Sequence, residues 1–104
     1  MKTYRALSPA SSERLYLLME EMAESIQVIG KILRHGYKSY HPDNPHEDNR
    51  ELLEKELGHV MCAQQMLHDS VEINLDRISR HAAEKQLMVG QYLHHQPTIR
   101  GRKD

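Results

Sequence analysis

Phenylalanine and tryptophan are absent from this 104-residue sequence, and cysteine occurs once. Without the two bulkiest apolar side chains, an interior has to be built from Leu, Ile, Val and Met. Leu, Ile and Val together supply 22 residues, a share just above the level at which chains tend towards disorder. Such a core is thin, and a partner subunit is expected to complete it. The single Cys62 excludes an internal disulfide and a cysteine zinc site. It points to a reducing cytosol and reads as a small buried hydrophobe. Long apolar runs are also missing. The longest, Leu15 to Met19, falls far short of a membrane span, and the opening Met1 to Ala10 lacks the apolar centre of a signal peptide. Charge of one sign is lacking too. A formal net charge of −1 argues against a nucleic-acid partner or a membrane surface, and Arg100, Arg102 and Lys103 are too few to reverse that. The expectation is a soluble cytoplasmic protein, in a bacterial cytosol or in a host's if phage-encoded. The length suits one domain and excludes a two-domain enzyme or a large nucleotide-binding sheet.

Helical punctuation and periodicity are present throughout. Ser8-Pro9 offers a capping hydroxyl followed by a proline suited to a first helical position. Leu15, Leu18, Met22, Ile26, Ile29 and Leu33 then recur at steps of three and four, which predicts a helix over 9–35 with that stripe facing inward. Lys31 and Arg34 suit its negative end, and Gly36 suits a cap with positive φ. Residues 36–47, GYKSYHPDNPHE, predict a loop of a length that is often functional. Asp48 and Glu51 resemble a capping box opening a second helix. Its stripe is Leu53, Leu57, Val60, Gln64 and Leu67, and its end falls near 68–70. Asn74 caps a third helix with Leu75, Ile78, Ala82, Val89 and Tyr92 or Leu93 inward, ended by Pro97. The fold class expected is all-α: two long helices plus a third in a single domain over 1–96, with a basic tail over 97–104. Three helices with broad apolar stripes close a bundle poorly, so dimerisation into a four-helix core is expected.

Chemistry concentrates on two helical faces. Glu21 and Glu24 are three apart on helix 1, and Glu56 and His59 are three apart on helix 2, so each pair shares a face. Antiparallel pairing of the helices brings three carboxylates and an imidazole together, a donor set for a hard cation such as Mg²⁺ or Mn²⁺. Such cations serve phosphate chemistry. Taken alone, an ExxE pair is commonly a solvated face, and like charges there oppose the helix by roughly 0.2–0.5 kcal/mol. A lone His59 is more often a packing residue. Gly58 in mid-helix lowers stability by about 1 kcal/mol against Ala, which calls for a reason such as close approach of another helix. Lys31, Arg34, Lys38 and Arg50 flank the loop and are placed to meet phosphates, although each is also an ordinary surface charge. Tyr37 and Tyr40 offer faces for stacking. The eight histidines include no HxxxH pair with a third ligand, so a dedicated zinc site ranks below the carboxylate site.

EEMAE (Glu20 to Glu24) followed by ELGH (Glu56 to His59) resembles the MazG-like nucleoside triphosphate pyrophosphohydrolases, whose signature is EExxE on one helix and ExxD, commonly ELGD, on the next. The intervening KILRHG, SYHP and NRELLEKELG, and the later YLHHQP, also look like small phage and bacterial proteins of that family. The resemblance spans residues 13–97. It implies an all-α fold with a four-helix core, a homodimer or homotetramer, and Mg²⁺-dependent cleavage of a nucleoside triphosphate to monophosphate and pyrophosphate, with Mn²⁺ as a second candidate. By position, Glu21, Glu24 and Glu56 match the acidic ligands, Glu20 matches the preceding Glu of the motif, and Lys85 falls where the family often places a phosphate-contacting base. His59 stands where the family has Asp. That makes the cage one unit less negative and favours softer cations. His59 then ligates metal, moves a proton beside a phosphate, or marks a binding relic without turnover. The gap of 31 residues between Glu24 and Glu56 is also long for the family. A non-catalytic helical oligomer that binds nucleotides or a protein partner is the alternative, and a helical structural protein with no site is the third reading.

Overall fold

The computed structural model describes residues 7–96 and the backbone of Thr98–Ile99 and Arg102–Lys103. Three helices account for most of it: α1 (Pro9–His35), α2 (Asn49–Asp69) and α3 (Leu75–Val89). Their starts follow from local chemistry. Ser8 Oγ accepts from the Ser11 N–H at 3.0 Å, and Pro9 needs no such partner. An Asp48 carboxylate oxygen accepts from the Glu51 N–H at 2.9 Å, and Asn74 Oδ1 accepts from the Arg77 N–H at 3.0 Å. Among the described residues no helix is long and apolar enough to cross a membrane.

The ends are equally specific. Gly36 closes α1 at φ 88 and ψ 169, a region only glycine enters readily, and its N–H donates to the Ile32 carbonyl at 2.7 Å. After α2, Glu72 N–H donates to the Leu67 carbonyl and Val71 N–H to the His68 carbonyl, each at 2.9 Å. This is the pattern of a Schellman cap with Val71 in the glycine position at φ 59. α3 ends at Val89, capped by Gly90, and not near Pro97 as the sequence predicts. The glycine's low helical propensity stops the helix before the proline is reached. Thr98–Ile99 pairs antiparallel with Arg102–Lys103, where the sequence predicts only a tail. Residues 97, 100, 101 and 104 of that stretch lie outside the described residues.

The chain divides into two compact units, one up to Glu72 and one from Ile73. The first is the antiparallel pair α1 and α2 with the loop between them. At one end Arg14 and Ser11 on α1 both meet the Glu72 carboxylate, with Arg14 Nε at 2.7 Å and Ser11 Oγ at 3.2 Å. At the other end Asn49 is buried. Its side-chain amide donates to the Gly36 carbonyl at 3.1 Å, and its backbone N–H donates to the Ser39 carbonyl at 2.8 Å. Arg50 N–H reaches the Tyr37 carbonyl at 3.1 Å, its guanidinium lies 4.8 Å from the Tyr37 ring centre, and Tyr40 bridges Asp48. The long loop is therefore fastened to the first turn of α2.

The interior of this unit contradicts one expectation. Ala63, Leu67 and Val28 form the buried apolar core, joined by Ser25, while the predicted inward stripe of α1 faces out except at Leu18: Ile26 is 68% and Leu33 is 82% exposed, and Leu15, Met22 and Ile29 are also exposed. The face of α1 that is covered runs through Arg14, Leu17, Leu18, Glu21, Ser25, Val28 and Ile32. α2 conforms better. Leu53, Val60, Gln64 and Leu67 are covered as predicted, whereas Leu57 is exposed. Cys62 is exposed as well, one position round the helix from buried Ala63. Among the described residues no other element of the chain comes within 4 Å of a Cβ built on Gly58, so close packing within one chain does not account for that glycine. The second unit begins at Ile73 and contains α3. Leu75, Ile78 and Val89 are partly covered there, and Ala82 is exposed.

Candidate metal centre

Residues 21 and 24 occupy successive turns of one face of α1, and residues 56 and 59 do the same on α2. Because the helices run antiparallel and the polar face of α1 is turned inward, the two pairs meet near the middle of the helical pair. One donor atom from each of Glu21, Glu24, Glu56 and His59 lies within 4.8 Å of the others. Oxygens and nitrogens bound to one hard cation at 2.0–2.6 Å stand at most about 4–5 Å apart, so the spread is that of a single coordination sphere.

The electrostatics of the cluster are unbalanced. The side chains of Glu21 and Glu56 are only 16% and 13% exposed, and that of His59 is 49% exposed. Glu21 Oε2 and Glu56 Oε2 are buried without a hydrogen-bond partner. Their nearest cationic candidate is His59 Nδ1, at 3.3 and 3.4 Å. Among the described residues no Lys or Arg pairs with Glu21, Glu24 or Glu56. Three carboxylates are thus gathered beside at most one protonated imidazole. Buried carboxylate oxygens without donors are expensive, and a divalent cation answers both the charge and the missing partners. The residues present therefore fit a metal. The donor set is oxygen-rich with one nitrogen, which suits Mg²⁺ or Mn²⁺ better than a thiophilic ion.

The other residues named from the sequence lie elsewhere. Glu20 is exposed, about 100° round the helix from Glu21, on a shallow groove with Glu13, Tyr16 and Leu17. Lys31 is two turns beyond Glu24 and lines a cleft with Arg34, His35 and the loop. Lys85 is an exposed residue of α3 in the second unit. Sequence reasoning missed Asn49, whose burial and two hydrogen bonds set the loop, and the Arg14–Glu72 pair that closes the far end. Asn49 had a readable signal, since it directly follows the capping Asp48. The Arg14 contact had none, because 58 residues separate the partners.

Compared with protein-family models, with curated proteins and with solved structures, the chain matches none of them.

Proposed function

We propose that this protein is a metal-dependent nucleotide pyrophosphohydrolase of MazG-like character, cleaving a nucleoside triphosphate to monophosphate and pyrophosphate. The observation that carries the reading is the convergence of Glu21, Glu24, Glu56 and His59 around buried, donorless carboxylate oxygens. A bound Mg²⁺ or Mn²⁺ supplies neutralisation of phosphate oxygens and an acidified water. The protein's part is to hold the site. Packing of α1 on α2 fixes Glu21 and Glu56, and one glutamate is left to orient or deprotonate the attacking water.

The working form proposed is a homodimer or homotetramer in which the exposed apolar face of α1 builds a four-helix core. Leu15, Leu18, Met19, Met22, Ala23 and Ile26 line one continuous apolar groove. Apolar surface of that kind, left in water, marks an association site.

One observation favours the non-catalytic alternative. His59 Nδ1 sits beside both Glu21 and Glu56, so a protonated imidazole can stand in for a cation and leave a binding module without turnover. The test is to incubate the protein with a panel of (d)NTPs and Mg²⁺ or Mn²⁺ and to assay pyrophosphate and monophosphate, alongside a metal titration of wild type, His59→Asp and His59→Ala. The pyrophosphohydrolase reading expects turnover by wild type. It also expects stronger Mg²⁺ binding relative to Mn²⁺ in His59→Asp and weaker metal binding in His59→Ala. Protons compete with metal for these donors, so affinity should fall as pH is lowered. No turnover by wild type, with metal binding gained in His59→Asp, would favour the alternative, and equal metal affinity in all three proteins would make His59 a packing residue.

A further inference from the structure

A second concavity lies along the same helical pair, towards the loop. It is a cleft of about 420 Å³ walled by Lys31, Arg34 and His35 at the end of α1, by Ser39, Tyr40, His41 and Pro42 in the loop, and by Asn49 and Leu52 in the first turn of α2. That volume is within the range of small-ligand sites, about 300–1,000 Å³. Lys31 lies seven residues beyond Glu24, so the two share a helical face about 10 Å apart. The cleft is thus separate from the acidic cluster and opposite to it in charge.

Its cations are unanswered. Among the described residues neither Lys31 nor Arg34 pairs with a carboxylate. His41 does pair with the well-exposed Asp43, at 3.6 Å. The α1 C-terminus carries only about half a negative charge, less than the two fixed positive charges beside it. The Arg34 guanidinium lies back along its own helix: a Cβ built on Gly30 would stand 3.6 Å from Arg34 Nη1. Asn49, buried and bonded to Gly36 and Ser39, fixes the opposite wall. A pair of unpaired cations in a preformed cleft is a site for an oxyanion. The Tyr40 ring, Pro42 and Leu52 beside them add an apolar and aromatic wall, which a bare oxyanion does not use.

We infer that this cleft binds a small phosphate ester, with Lys31 and Arg34 on the phosphate and Tyr40 against the organic body. The inference goes beyond the pyrophosphohydrolase reading and stands without it, because neither metal nor turnover is needed. The experiment is calorimetric titration of the full chain in EDTA with AMP and, separately, with inorganic phosphate. AMP should bind at least about 10-fold more tightly than phosphate, since only the ester reaches the apolar wall. Lys31→Gln with Arg34→Gln should weaken both by at least about 10-fold, and raised salt should do the same. Tyr40→Ala should erode the advantage of AMP and leave phosphate unchanged. Arg77→Gln with Arg80→Gln removes the same charge from exposed positions on α3 and should change neither, and circular dichroism verifies the helices of each variant. AMP binding that survives the Lys31 and Arg34 changes within twofold in a folded protein overturns the inference. So does an absence of AMP binding at millimolar concentration, and so does equal loss in the α3 control, which would reveal a general charge effect.

Discussion

The two faces of α1 reverse the usual division of labour. The face turned to α2 carries Arg14, Glu21, Glu24 and Ser25 around a narrow apolar seam, while the face turned to solvent carries Leu15, Met19, Met22, Ile26, Ile29 and Leu33. An amphipathic helix normally buries its apolar stripe within its own chain. Here Glu21 and Glu24 on the intrachain face meet Glu56 and His59, Arg14 meets Glu72 at one end, and most of the apolar stripe is exposed. The polar face thus gathers the carboxylates, and the apolar face stays exposed. Each can be perturbed without touching the other, since residues 22 and 26 do not share the face of residues 21 and 24.

The largest effect is expected on the apolar face. Ile26→Asp places a carboxylate in the proposed four-helix core, where an unpaired charge is worth about 3–5 kcal/mol of lost association. Sedimentation at micromolar concentration should show wild type as a dimer or tetramer and the variant as a monomer. A wild type that sediments as a well-folded monomer breaks the comparison outright. On the polar face, Glu56→Gln removes a charge and a donor from the cluster. Turnover should fall at least about 100-fold, equivalent to about 2.7 kcal/mol, with helicity and sedimentation unchanged. If turnover persists, the polar face is packing and not a site.

Two smaller effects sharpen the same contrast at the end of the polar face. Arg14 and Ser11 meet Glu72 there, in a partly buried contact. Arg14→Met removes the charge-assisted hydrogen bonds and should lower unfolding stability by about 1–3 kcal/mol, read by urea denaturation. Glu72 reaches that contact because Val71 holds a left-handed conformation that a β-branched residue adopts at a penalty of about 1–2 kcal/mol. Val71 is also 91% exposed, so its side chain contributes little packing in return. Val71→Gly should therefore raise stability by about 1 kcal/mol and leave turnover and assembly unaltered.

The legibility of these features follows their range. Ser8, Asp48 and Asn74 announce the helix starts because a cap is satisfied within three residues, and all three stand where the sequence places them. The Glu21–Glu24 and Glu56–His59 pairs are readable for the same reason, since helical spacing alone puts each on one face. Gly58 and Cys62 are misleading in the sequence because their surroundings come from other elements: among the described residues no other helix approaches the one, and the other turns outward. The end of α3 is misleading because a proline at 97 is a stronger stop signal than the glycine at 90 that ends the helix first.

Hydrophobic periodicity by itself determined that this chain is helical and that α1 has one apolar and one polar face, and the capping residues determined where its helices begin. Periodicity reports the contrast between faces and carries no record of what each face meets. Only the tertiary structure decided that the polar face is the one packed within the chain, because that choice depends on contacts between residues tens of positions apart. Antiparallel docking of α1 on α2 set the outcome. It brings Glu21 and Glu24 opposite Glu56 and His59, fastens Asn49 under the loop, and turns Ile26 and Leu33 to the outside.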